Sequence, residues 1–261
     1  MLSSFFLYKS LNYAIIIHQI KQTNQKMANH PVFFLVYLLA LATSLHSSTA
    51  VDYTVTNEVP TTPGGTVFDK ELGVEYTRQQ MESASQFIWN LFRQPDPASR
   101  KNVQSVSLFI VDNLDERFVA LASNNNINVS DKSIQGLTGD ELKRSFNGVL
   151  YHEMTHIWQW NGNGQIGDGH LGGLTEGIAD FVRLKEDYVP GGWPRPGDGE
   201  HWYDGYAVTA YFLDYCEGLK SGFVAELNAK LKDGYSPDFF FQILGKTVDQ
   251  LWTDYKSIPR N

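Results

Sequence analysis

The chain of 261 residues is long enough for one or two domains, and its 42% hydrophobic content supports a sizeable core. A net charge of −8 argues against nucleic acid and anionic membrane surfaces as partners. A single cysteine, Cys216, excludes an intramolecular disulfide, and its apolar helical surroundings read as those of a buried, inert thiol.

Residues 32–45 form an apolar run without charge, too short for a comfortable membrane span. Lys21 and Lys26 precede it, and Ser48-Thr49-Ala50 follows as a small-x-small cleavage pattern. Residues 27–50 therefore read as a secretory signal peptide, with Met27 as the start and residues 1–26 as an upstream extension. An uncleaved signal anchor is the alternative. The expected secreted chain begins near Val51 and forms one domain over 51–261. Three lysines and no acidic residue leave with the leader, so its charge is −11. Asn128-Val129-Ser130 is a candidate N-glycosylation site.

Val51 to Val59 alternates weakly and predicts a first strand, and Thr61–Gly65 (TTPGG) predicts a turn. From about Val74 to Phe92, Met81, Ala84, Phe87, Ile88, Leu91 and Phe92 keep helical spacing, and Gln94–Pro97 ends the helix. Val103–Val111 reads as a strand. Phe118–Ala122 and Ile127–Val129 read as two short strands around an Asn-rich turn. Thr138 with Glu141 three residues later suggests a capping box opening a long helix. Phe146, Val149, Leu150, Ile157 and Trp160 give that helix a core-facing stripe, and Asn161–Gly164 (NGNG) stops it. After a Gly-rich stretch to Gly173, Leu174–Lys185 is a second helix, with Leu174, Ile178, Phe181 and Val182 on one side. Pro190–Gly197 is an irregular loop, and Tyr206–Tyr255 reads as three or four helices. The fold class is α+β: a small N-terminal mixed sheet with a long helix, then a mostly helical C-terminal half.

The long helix carries His152-Glu153-x-x-His156, a zinc-hydrolase signature. Residues four apart share a helix face, so both imidazoles reach one metal ion, with Glu153 placed to meet a metal-bound water. A catalytic zinc takes three protein ligands and one water, so a third ligand is required. The metzincin spacing would need Gly and His where Gln159 and Gly162 stand. The thermolysin-like spacing needs a Glu on a following helix and an Asp four residues beyond, which Glu176 and Asp180 supply. Glu176 is the expected ligand, and Asp180 the expected partner of a ligand histidine's far nitrogen. Of the histidines outside residues 1–50, His170 is the rival third ligand. His201, Tyr203 and Tyr206 are candidate hydrogen-bond donors to a developing oxyanion.

The segments His152–Gln159 (HEMTHIWQ), Gly173–Lys185 (GLTEGIADFVRLK), Asp204–Ala210 (DGYAVTA), Phe223–Leu227 (FVAEL) and Leu244–Trp252 (LGKTVDQLW) closely resemble the plant basic secretory protein family. Val51–Asn57 also fits. The resemblance implies an extracellular, zincin-like metallopeptidase associated with plant defence, with His152, Glu153 and His156 carried over directly. The family name says basic, whereas this chain is acidic, which speaks against a role resting on cationic binding to microbial surfaces.

The expected reaction is zinc-dependent peptide hydrolysis with Glu153 as general base. Phe118–Ala122 would pair with an extended substrate, and loops 161–173 and 190–199 would form the cleft rim. The expected location is the cell exterior or wall, without a stable membrane anchor. The alternative is a catalytically silent defence or carbohydrate-binding module whose zinc is structural or vestigial. The intact Glu153 and the lack of an evident fourth protein ligand speak against it.

Overall fold

The structure is a computed structural model that describes residues 51–165 and 169–259. The signal peptide and extension expected over residues 1–50 lie outside the described residues. The fold is α+β, a four-stranded sheet followed by a mostly helical half.

Strand β1 (Asp52–Asn57) leads into a short helix α1 (Pro63–Val67), a single π turn (Phe68–Leu72) and the long helix α2 (Gly73–Leu91). Strands β2 (Ser105–Val111), β3 (Ala120–Ser123) and β4 (Asn126–Ser130) come next. The expected turn at Thr61–Gly65 is instead a helix start. Thr62 caps it by accepting the Gly65 N–H, and Pro63 occupies the first turn, where its missing N–H costs nothing. Helix α2 buries Met81, Ala84, Ser85 and Ile88. It stops at Leu91 because Arg93 turns into the left-handed region at φ 54, ahead of the predicted proline stop.

The sheet order is β1-β2-β4-β3. β1, β2 and β4 run parallel, with α2 in the β1–β2 crossover, and β3 pairs antiparallel with β4 alone. Leu108 aligns with Ile127, and Ile110 with Val129; all four are buried on the same face. Asn128 is half-buried on the central strand β4, not in a loop as sequons usually are.

Helix α3 (Gly139–Trp158) packs against α2 and along β3, and α4 (Gly169–Lys185) packs against α3. Thr138 stands at the N-cap, but its side chain makes no capping bond. With Gly139 at φ 58, the backbone between Thr138 and Glu141 departs from the geometry a capping box needs. Phe146, Leu150 and Ile157 are buried as expected, whereas Val149 is half-buried beside the sheet edge. Leu174, Ile178, Phe181 and Val182 of α4 are fully buried.

Helices α5 (Tyr206–Leu219), α6 (Phe223–Lys230), α7 (Asp238–Leu244) and α8 (Val248–Lys256) complete the helical half. A true capping box opens α8, between Thr247 and Gln250. Cys216 is fully buried in α5, and burial pushes its thiol well up. Among the described residues no helix is long and apolar enough to cross a membrane.

Two glycines of α4 set the position of residues 203–209. A Cβ on Gly173 would lie 1.9 Å from Tyr203 O, and one on Gly177 would lie 2.2 Å from Thr209 Cγ2. Only glycine permits so close an approach. Thr209 then ties the segment's turn together. Its hydroxyl donates to Trp202 O and accepts the Gly205 N–H.

Candidate metal centre

His152 and His156, one turn apart on α3, meet Glu176 of α4. His152 Nε2 lies 3.0 Å from His156 Nε2 and 3.1 Å from Glu176 Oε2, which is 3.6 Å from His156 Nε2. Tetrahedral zinc bonds of about 2.0–2.1 Å place neighbouring ligand atoms about 3.3 Å apart. The three separations bracket that value, so these residues fit such an ion, and among the described residues they form a potential metal-holding group.

Asp180, one turn beyond Glu176, accepts from His152 Nδ1 at 2.7 Å. That bond fixes the tautomer and leaves Nε2 facing Glu176. Gln159 meets His156 with the opposite polarity: its side-chain amide nitrogen lies 2.7 Å from Nδ1 and 3.1 Å from Thr175 O, so it donates where Asp180 accepts. Gln159 is where the metzincin spacing fails, and the sequence gives only one signal for its contact with the ring, an i, i+3 spacing from His156 along the helix end.

The charges are concentrated and shielded from water. His152, Glu153 and Asp180 are buried. Burial opposes a charge on His152, but hydrogen bonds to Asp180 and Glu176 outweigh it and hold its basicity above the usual range. Burial likewise opposes ionisation of Glu176, and the two histidines overcome it, keeping the carboxyl well below the usual carboxylate range. A cluster with this balance favours positive charge at its centre, which is what a metal cation supplies.

Glu153 behaves differently. Burial lifts its carboxyl above the usual range, against the pull of His152 and His156, while the Ala122 N–H donates to it. The donor belongs to β3, so the edge strand is tied directly to Glu153. Burial also raises the Tyr206 phenol, with the charges of Glu176, Asp180 and Glu153 adding to it. Tyr206 stacks on His152 with ring centroids 5.9 Å apart and planes 10° apart, and its φ of 45 is in the left-handed region that non-glycine residues seldom occupy.

These groups line an open cavity of about 500 Å³. Residues 117–122 form one wall, with Val149 of α3 and Arg183 of α4 also exposed to it. Asn161 is on the rim, but the expected rim loop 190–199 contributes no lining residue. Residues 169–173 of the other expected loop are helical, and 166–168 lie outside the described residues.

His170 is not part of the metal-holding group and instead packs on Tyr203 and Trp202, with ring centroids 4.0 Å and 5.6 Å away. His201, the other expected oxyanion donor, is not among the residues lining the cavity. Asp204 accepts the backbone N–H groups of Glu200 and His201, and lies 3.3 Å from the His201 ring. This holds the half-exposed imidazole outside the cleft, stacked on Tyr203. Tyr206 is the one of the three candidate donors that lines the cavity.

The family described as peptidase of plants and bacteria matches residues 48–255. A basic secretory protease of Boswellia serrata is 45% identical over 56 residues, which are 22% of this chain and 62% of that relative. The chain thus spans somewhat under two thirds of the curated relative it matches. No solved structure matches it. With most of its described length covered by that family, the chain belongs to the plant basic secretory proteins.

Proposed function

We propose that this protein is a secreted zinc-dependent peptidase in which Glu153 is the general base. The observation that carries this reading is the convergence of His152 Nε2, His156 Nε2 and Glu176 Oε2, with Glu153 beside them in the same cleft. His152, His156 and Glu176 would hold the zinc. When bound, zinc supplies Lewis acidity, lowering the pKa of water towards about 7 and polarising a carbonyl.

The protein's own residues do the rest. Asp180 and Gln159 orient the two imidazoles. β3 pairs on one side only, so an extended peptide can join the sheet along its other side. The Ala122 N–H holds the Glu153 carboxylate in place. Glu153 takes a proton from the attacking water and returns it to the leaving amine. Tyr206, kept protonated by its surroundings, donates to the carbonyl oxygen as negative charge develops there.

Secretion is supported by the leader-like residues 27–50 and by the word secretory in the relative's name. A place in the cell wall and a role in plant defence extend the same reading.

The test is Glu153→Gln. The variant is expected to bind one zinc per chain, as the wild type does, and to lose peptide hydrolysis by at least about 10²-fold. Unchanged turnover in a zinc-loaded variant would remove Glu153 from the mechanism.

A further inference from the structure

We infer that a small apolar pocket beside the centre takes an aliphatic side chain of the substrate, next to the bond that is cut. This inference names the substrate class of the proposed peptidase and rests on that reading.

The pocket has a volume of about 150 Å³ and lies against the N-terminal half of α3. Its walls are mostly apolar, with the buried core residues Ile134, Leu142 and Phe146 among them; Ser133 and Ser145 are its two polar residues, and no charged side chain lines it. Val119 and Val149 line both this pocket and the catalytic cleft. They are the shared wall between the two spaces. Val119 is 55% exposed and Val149 is half-buried, so neither is locked into the core.

Position and size agree with a side-chain pocket. Val149 precedes His152 and Glu153 by three and four residues, one helical turn or about 5.4 Å. Successive residues of an extended peptide advance about 3.3 Å, so a residue flanking the scissile bond passes over this wall. Protein interiors hold few voids larger than a water molecule. An apolar cavity of about 150 Å³ admits a group the size of benzene, which matches a Leu, Ile or Val side chain and excludes Trp. A charged side chain would lose its hydration there without gaining a partner. The exposed Phe118 and Leu121 on the neighbouring edge add apolar surface for such a peptide.

The experiment is digestion of a randomised peptide library by the full-length, zinc-loaded protein, with cleavage sites read by mass spectrometry. Cut sites are expected to be enriched about tenfold or more for Leu, Ile or Val at one position flanking the bond. Ser145→Leu, on α3 in the pocket wall, fills the space. It is expected to move that preference to Ala and Gly, and to lower kcat/KM on a leucine peptide by about tenfold or more relative to its alanine counterpart. Cleavage by the wild type with no aliphatic preference on either side of the bond overturns the inference and leaves the peptidase reading standing. So does an unchanged profile in Ser145→Leu. Absence of cleavage of any peptide by the zinc-loaded wild type overturns the peptidase reading, and this inference with it. Should Ser145→Leu fail to fold by its melting curve, the wild-type profile alone decides.

Discussion

His152 Nδ1 lies 2.7 Å from Asp180 Oδ1, joining α3 to α4 behind the three ligand-type atoms. Asp180 is 2% exposed, so this is a buried carboxyl whose chief hydrogen-bond partner is His152. The bond gives the two helices one arrangement in which His152 Nε2 faces Glu176.

Asp180→Asn keeps the shape and removes the charge. It is expected to weaken zinc affinity by about 10–100-fold while the fold persists. Competition with a calibrated chelator measures this, and an unchanged affinity would show that Asp180 only packs.

Tyr206→Phe keeps the ring against His152 and removes the hydroxyl. Zinc content and KM are expected to change little, and kcat to fall by about 10²–10³-fold. A loss confined to KM would make Tyr206 a substrate contact in place of an oxyanion donor.

Gly177→Ala puts a methyl group into Thr209, whose Cγ2 would be 2.2 Å away. Forcing α4 and α5 apart is expected to cost about 1–3 kcal/mol in urea unfolding. Activity should fall beyond what lost stability explains, because Tyr206 and Glu176 are held by these two helices. A variant as stable as wild type would refute the close-packing account.

Tyr53 supplies a pH dependence of stability. Its hydroxyl donates to Ser85 Oγ at 2.7 Å, which also accepts from Trp158 Nε1 at 3.0 Å. Burial raises the phenol from 10.0 to about 12. Below pH 10 both states keep the proton and stability is whole. Above it the unfolded chain ionises first, so stability drains away as pH rises towards 12, by about 1–2 kcal/mol. Tyr53→Phe should show a shallower loss across that window in urea titrations, and equal slopes would exclude Tyr53 as the source.

The local patterns were legible because they depend on near neighbours. Apolar spacing located α2, α3 and α4, and the His-Glu spacing put two imidazoles on one face. Where backbone dihedrals decided, the residues misled. Thr61–Gly65 looked like a turn and is a capped helix start, while Thr138 looked like a capping box and makes no such bond. The true box, at Thr247 and Gln250, has the same spacing, so spacing alone does not separate the two.

By itself the sequence determined which residue types could bind a metal, their helical register and the family to which the chain belongs. Tertiary structure decided which of the remaining candidates meet. It brings Glu176 to the histidines while His170 packs against Tyr203, and it puts Tyr206, not His201, in the cavity lining. It also sets Ala122 against Glu153 and opens an apolar pocket behind Val149. The physical reason is range. A helix face is fixed by residues three and four apart, but contact between α3, α4, β3 and α5 depends on how closely packed surfaces approach, as at Gly173 and Gly177.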